Sequence, residues 1–186
     1  MIGGPADQPG RVGVALLVVF LAAAHAATLF VPSTWINRDG RFYTNMNVTL
    51  VEDATLEQSR FAESWYSGEL GWNRQLPASF SNIALGRNGE HWPMHPWLMP
   101  VLSTPFFLAF GLPGTLVFNL LGFAVIAAGA FRLARTEATS MGAAAATTVF
   151  LLGTAILDYA YDYHVDVLLL ACLATGLAAI LDRQGW

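Results

Sequence analysis

Apolar and polar positions divide the chain into long blocks. Val12 to Val31, VGVALLVVFLAAAHAATLFV, is an apolar run of twenty residues. At about 1.5 Å per residue it reaches across the roughly 30 Å hydrocarbon core of a bilayer. That predicts a first transmembrane helix over 12–31, after a short polar start at 1–11. Pro32 closes the run, and the chain then stays polar to about Pro96, which predicts a long loop over 32–96. Trp97 to Phe110, WLMPVLSTPFFLAF, carries two interior prolines in fourteen residues. It is too short and too broken for a span and reads as an interfacial or re-entrant helix. A second span is expected over 112–135, closed by Arg132 and Arg135. A third and a fourth follow over 141–157 and 165–181, each seventeen residues long. DYAYDYH at 158–164 forms an acidic loop between them, and 182–186 trail the fourth. The expected fold is an all-α membrane protein with about four transmembrane helices and a long external first loop containing short interfacial helices.

Inside the long loop, the polar stretch Asn37 to Gln58, NRDGRFYTNMNVTLVEDATLEQ, crowds Arg38, Asp39, Arg41, Tyr43, Glu52 and Asp53 close to the end of the first span. Carboxylates in such a place are costly unless they are solvated or have work to do. This stretch is the candidate active-site loop. Further on, Val48, Leu50, Val51, Leu56, Phe61, Trp65 and Leu70 recur at a rough helical spacing with acids between them, which suits short helices on a membrane surface. Residues 73–92 have no period and read as loop. Trp65, Tyr66, Trp72, Trp92 and Trp97 suit an aromatic belt at the headgroup level, an anchoring role preferred over sugar stacking.

Composition agrees with the blocks. Hydrophobic residues make up 55% of the chain and charged residues 12%, and the mean hydropathy is +0.49, all unusual for a soluble domain. Nine Arg, no Lys and a formal net charge of -4 leave no basic footprint for nucleic acid. The single cysteine, Cys172, sits in an apolar run, so neither an intrachain disulfide nor a thiolate zinc cluster is available. A secretory signal is the rival for 12–31, because AHA at Ala24–Ala26 resembles a cleavage site, but the run is long for that role and only Arg11 precedes it. His25 reads as a packed, neutral histidine between helices.

With four crossings, Arg11, Arg132, Arg135 and Arg183 fall on one side, which the positive-inside rule makes cytoplasmic. The amino terminus is then cytoplasmic, and the long loop and DYAYDYH both face outward. Asp39 thereby meets Asp158, Asp162, His164 and Asp166 at one membrane face, the ingredients of a general base, a divalent-metal site, or both. Asp162 and His164 at i, i+2 share one side of an extended loop, whereas Asp158, Asp162 and Asp166 at i, i+4, i+8 would line one helix face. Oxygen-rich ligation with one imidazole favours Mg²⁺ or Mn²⁺ over Zn²⁺. The same acids are equally well explained as solvated helix ends, and spacing leaves both readings open.

An amino-terminal span, an external loop opening on NRDGRFYTNMNVTLVEDATL and the stretch HWPMHPWLMPVLSTPFFLAFG before the second span resemble the GT-C superfamily of polytopic glycosyltransferases. More narrowly they look like its bacterial protein-mannosyltransferase-type branch, with a similar D-x-x-x-Y opening and an H-P-x-L…P-F…F-G stretch. The resemblance covers 12–181 and implies a cell-membrane enzyme that moves a sugar from a polyprenyl-phosphate carrier to an acceptor at the external face. It implies that Asp39 is the catalytic base or a metal ligand. Asp162 and His164, with Asp166, would be the second acidic motif and the metal set. His95 would contact the lipid phosphate, although helix entry before Pro96 explains it as well. Arg38 and Arg41 would bind phosphate from beside the base, with Tyr43 completing the substrate site; an ion pair with Glu52 or Asp53 is the alternative for the arginines. Family members run to several hundred residues, so the chain is expected to be the amino-terminal portion of such an enzyme. The competing class is a non-enzymatic polytopic membrane subunit whose external loops bind a partner or a cation.

Overall fold

The computed structural model describes residues 38–61, 83–160 and 162–184; the expected first span at 12–31, Trp65, Tyr66 and Trp72 lie outside them. The described residues are mostly helical. It divides into two compact units, one built from Ile36–Phe118 with Asp162–Val165, the other including Asn119–Tyr161 and Asp166–Trp186.

The first unit opens on helix α1, Arg38–Glu52, where a polar loop is expected from the sequence. The helix forms because its large side chains recur every three or four residues. Phe42, Tyr43, Met46, Asn47 and Thr49 are all buried, and Asp39 in the first turn complements the exposed N–H groups at the helix start. It ends in a tight closing turn: Thr55 N donates to Thr49 O at 3.2 Å, with Ala54 held at φ 52°, a position that glycine usually fills. A 3-10 turn at Ser59–Phe61 follows.

A two-stranded antiparallel hairpin, β1 Ile83–Leu85 and β2 His91–Pro93, occupies part of the 73–92 stretch that the sequence gives no period. Gly86 N donates to Glu90 O at 2.7 Å to close it. Helix α2, Leu98–Phe110, then packs on α1 through Met99, Pro100 and Ser103, while Leu98, Val101, Leu102, Leu108 and Phe110 stay exposed. Pro105 inside α2 removes one N–H from its ladder. Gly111 takes φ 65° and caps the helix by donating its N–H to Phe107 O at 2.7 Å.

Helix α3, Leu112–Arg135, starts in the first unit and continues into the second. It is the one helix among the described residues that is long and apolar enough to cross a membrane. In the second unit, α4 covers Ser140–Gly153, with Thr139 accepting a capping bond from Gly142 N. The apolar run expected over 141–157 is thus interrupted: Thr154 is extended, its hydroxyl turned back onto Phe150 O at 2.8 Å, and a short α5 resumes at Ile156–Ala160. Helix α6 runs Val165–Gln184. Phe123, Ile126 and Ala127 of α3, Leu151 and Ile156, and Val167 and Ala171 of α6 form the core of this unit. A Cβ on Gly129 would lie 2.7 Å from the Ala174 Cβ and 3.0 Å from its carbonyl carbon, so the α3 and α6 backbones meet through the missing side chain.

Candidate functional site

One stripe of α1 organises the chemistry of the first unit. Asp39, Tyr43 and Asn47 stand at i, i+4 and i+8, so they share a helix face. The short segment 162–165 lies against that face and meets it rung by rung. At the outer rung, His164 Nε2 is 3.5 Å from Asp39 Oδ2. The Asp39 side chain keeps 42% of its exposure and His164 only 14%, so the carboxylate stays reachable beside a largely enclosed imidazole.

In the middle rung, Tyr43 is buried and turns its ring edge to three others. Ring centroids lie 5.3 Å from His95, 5.9 Å from Tyr163 and 6.4 Å from His164. Phe42 stacks on His95 with ring centroids 5.3 Å apart. Burial lowers the His95 pKa; Asp39 pulls the other way, and His164 adds to the lowering.

The inner rung is a buried hydrogen-bond network. Tyr163 OH donates to Asn47 Oδ1 at 2.9 Å. Asn47 Nδ2 donates to Pro100 O at 2.8 Å and to Ser103 Oγ at 3.0 Å. Ser103 Oγ also lies against Tyr163 OH and 3.0 Å from Pro100 O, with one hydroxyl proton to give to either. Burial pushes the Tyr163 phenol well above its usual range, outweighing the bonds from Ser103 and Asn47, so it remains a protonated donor.

The sequence-expected residues thus divide. Asp39, Tyr43, His95 and His164 gather in one unit, with Asp162 buried beside Tyr163. Asp166 sits in the first turn of α6, in the other unit. The alternative in which Asp158, Asp162 and Asp166 line one helix face does not hold, because α5 ends at Ala160 and α6 begins at Val165. Arg38 and Arg41 contribute backbone to the first turn of α1, and their side chains lie outside what is described. Glu52 and Asp53, their alternative partners, bind Arg60 at 2.6 and 3.1 Å.

Among the described residues no group of three or more His, Cys, Asp or Glu is arranged to hold a metal ion. Of the expected metal set, Asp162 and His164 fall in one unit and Asp166 in the other.

Sequence reasoning missed Asn47, Ser103 and Tyr163. The only signal for them was that Asn47 extends the Asp39–Tyr43 step by another four residues. It also missed the Glu57 anchor, whose Oε1 accepts from Ser59 N at 2.9 Å and His91 N at 2.7 Å. Burial would raise the Glu57 pKa, but these bonds and the Ser59 hydroxyl outweigh it and hold the carboxyl below its usual range. Glu57 thereby ties the 3-10 turn to β2. No protein-family model, curated protein or solved structure matches this chain.

Proposed function

We propose that the chain belongs to a multi-pass glycosyltransferase of the cell membrane, of GT-C type, which moves a sugar from a polyprenyl-phosphate carrier to an acceptor hydroxyl at the external face. The observation that carries this reading is the exposed Asp39 carboxylate beside His164, on the first turn of a helix whose opening resembles that family's D-x-x-x-Y. Its membrane setting is supported by the span-length α3. From His91 to Phe131 the chain holds no Asp, Glu, Lys or Arg. Leu121, Val125, Val149, Phe150, Leu169, Leu173 and Leu177 all point outward, as lipid-facing side chains do.

The reaction is a single displacement. Asp39 takes the proton of the acceptor hydroxyl as its oxygen bonds to the anomeric carbon, and the carbon–phosphate-oxygen bond breaks with its electron pair leaving on the polyprenyl phosphate. Attack from the opposite side inverts the anomeric centre. Arg38 and Arg41, flanking the base in sequence, supply guanidinium donors for the departing phosphate.

The test is incubation of membranes containing the chain with a radiolabelled polyprenyl-phosphate sugar. Carrier-dependent label transfer is expected, and Asp39→Asn should abolish it without lowering expression. A fully active Asp39→Asn chain would sink the assignment, and no transfer at all would favour the membrane-subunit class.

A further inference from the structure

Eight residues separate Asp39 from Asn47 on α1, and consecutive residues of the 162–165 segment serve both: Tyr163 bonds Asn47 and His164 meets Asp39. The segment meets α1 through side chains, and these set its register. Among those side chains the Asn47 amide is the most heavily engaged. It is fully buried; its nitrogen donates to Pro100 O and Ser103 Oγ and reaches Thr104 Oγ1 at 3.3 Å, while its oxygen accepts from Tyr163.

An amide so engaged has one orientation. Rotating it would set a carbonyl against the Pro100 carbonyl and leave the buried phenol facing NH₂. Asn47 therefore fixes α1, α2 and Tyr163 relative to one another. The Tyr163 ring, wedged edge-on against Tyr43 at 5.9 Å, leaves its chain neighbour His164 little freedom in where it emerges.

We infer that Asn47 and Tyr163, backed by Ser103, are positioning residues that set the distance between Asp39 and His164, and so hold the base in its working geometry. For its kinetic consequence this inference rests on the transferase reading; for its geometric one it does not. Misplacing a catalytic group by about 1 Å can cost on the order of a hundredfold in rate, so a network remote from the substrate is able to control turnover.

Two measurements test it on the full chain. In a Cys172→Ala background, thiols are placed by Asp39→Cys and His164→Cys and bridged with a short bifunctional thiol reagent. Bridging is read as fragments that stay joined after cleavage at a protease site inserted in the 136–138 turn. Efficient bridging is expected, falling severalfold when Tyr163→Phe or Asn47→Leu is added. Thr49→Val, a buried change on α1 outside the network, should leave it intact. Bridging unaffected by Tyr163→Phe and Asn47→Leu alike would overturn the inference. If Asn47→Leu does not fold, Tyr163→Phe, which keeps the ring, decides it.

In the transfer assay, with native Asp39 and His164, Tyr163→Phe should lower kcat roughly tenfold or more, leaving KM within about twofold. A wild-type chain that transfers no sugar defeats the transferase reading while the bridging result still decides positioning. A Tyr163→Phe chain with undiminished kcat overturns positioning while the transferase reading stands.

Discussion

Asn47 and Tyr163 stand 116 residues apart in sequence and 2.9 Å apart in the fold, joined by a bond that neither solvent nor lipid reaches. Removing only the phenol oxygen by Tyr163→Phe leaves Asn47 Oδ1 with the longer 3.4 Å contact from Ser103. A loss of about 1 kcal/mol is expected. Asn47→Leu removes the amide's bonds to Pro100, Ser103 and Tyr163 together, leaving those groups only one another and Thr104, and should cost roughly twice that or more. Denaturant unfolding in detergent would show the order; equal, negligible losses would mean the network is relaxed in solution.

Stability should also depend on pH through His95. Its folded-state pKa is depressed below the ordinary 6.5, first by burial. Below that ordinary value, the unfolded chain therefore binds a proton that the folded chain refuses. Stability is undiminished above about 6.5 and declines as pH falls from there towards the folded-state value. Melting temperatures between pH 7.5 and 5 should fall for the wild type and fall less for His95→Gln. Parallel curves would remove His95 from the explanation.

Gly129 and Gly176 make a matched pair in the second unit. A methyl group on Gly129 meets the backbone of Ala174, whereas one on Gly176 meets nothing within 4 Å. Gly129→Ala should therefore lower the melting temperature. Gly176→Ala should leave the melting temperature unchanged or raise it, stability gaining up to about 1 kcal/mol of helix preference. Similar behaviour of the two variants would contradict the close α3–α6 approach.

Ala54 offers a stabilising change. It closes α1 at φ 52°, where an L side chain costs about 1 kcal/mol or more and glycine costs nothing. Part of that gain is returned through the looser unfolded chain, so Ala54→Gly should stabilise by about 0.5 kcal/mol. A destabilised variant would show that the left-handed turn is not kept.

The parts legible in the sequence are those that local pattern controls. The range 112–135 is helical from end to end because its apolar run is unbroken and two arginines close it. Asp39 and Tyr43 are paired in the sequence only through the resemblance to a D-x-x-x-Y opening. Asn47 is not legible, because a polar residue among Thr, Asn and Met gives no sign of burial until Pro100 and Ser103, more than fifty residues on, are brought against it. The break after Gly153 escaped notice for a related reason. Hydropathy continues smoothly through Leu157, so an apolar pattern carries no sign that Thr154 turns extended and ends the helix. The β1–β2 strands, three residues each, are too short to show alternation.

The segment 162–165 joins a unit whose other residues end at Phe118. A ribosome adding about 5 to 20 residues per second would need roughly 6 to 20 s to pass from Asn47 to its partner, 116 residues later. During that interval α1 and α2 can associate, but Asp39 has no His164 beside it. The nascent chain therefore carries its carboxylate for seconds before the pair can close, and the order of synthesis itself delays the Asp39–His164 contact until the chain is well advanced.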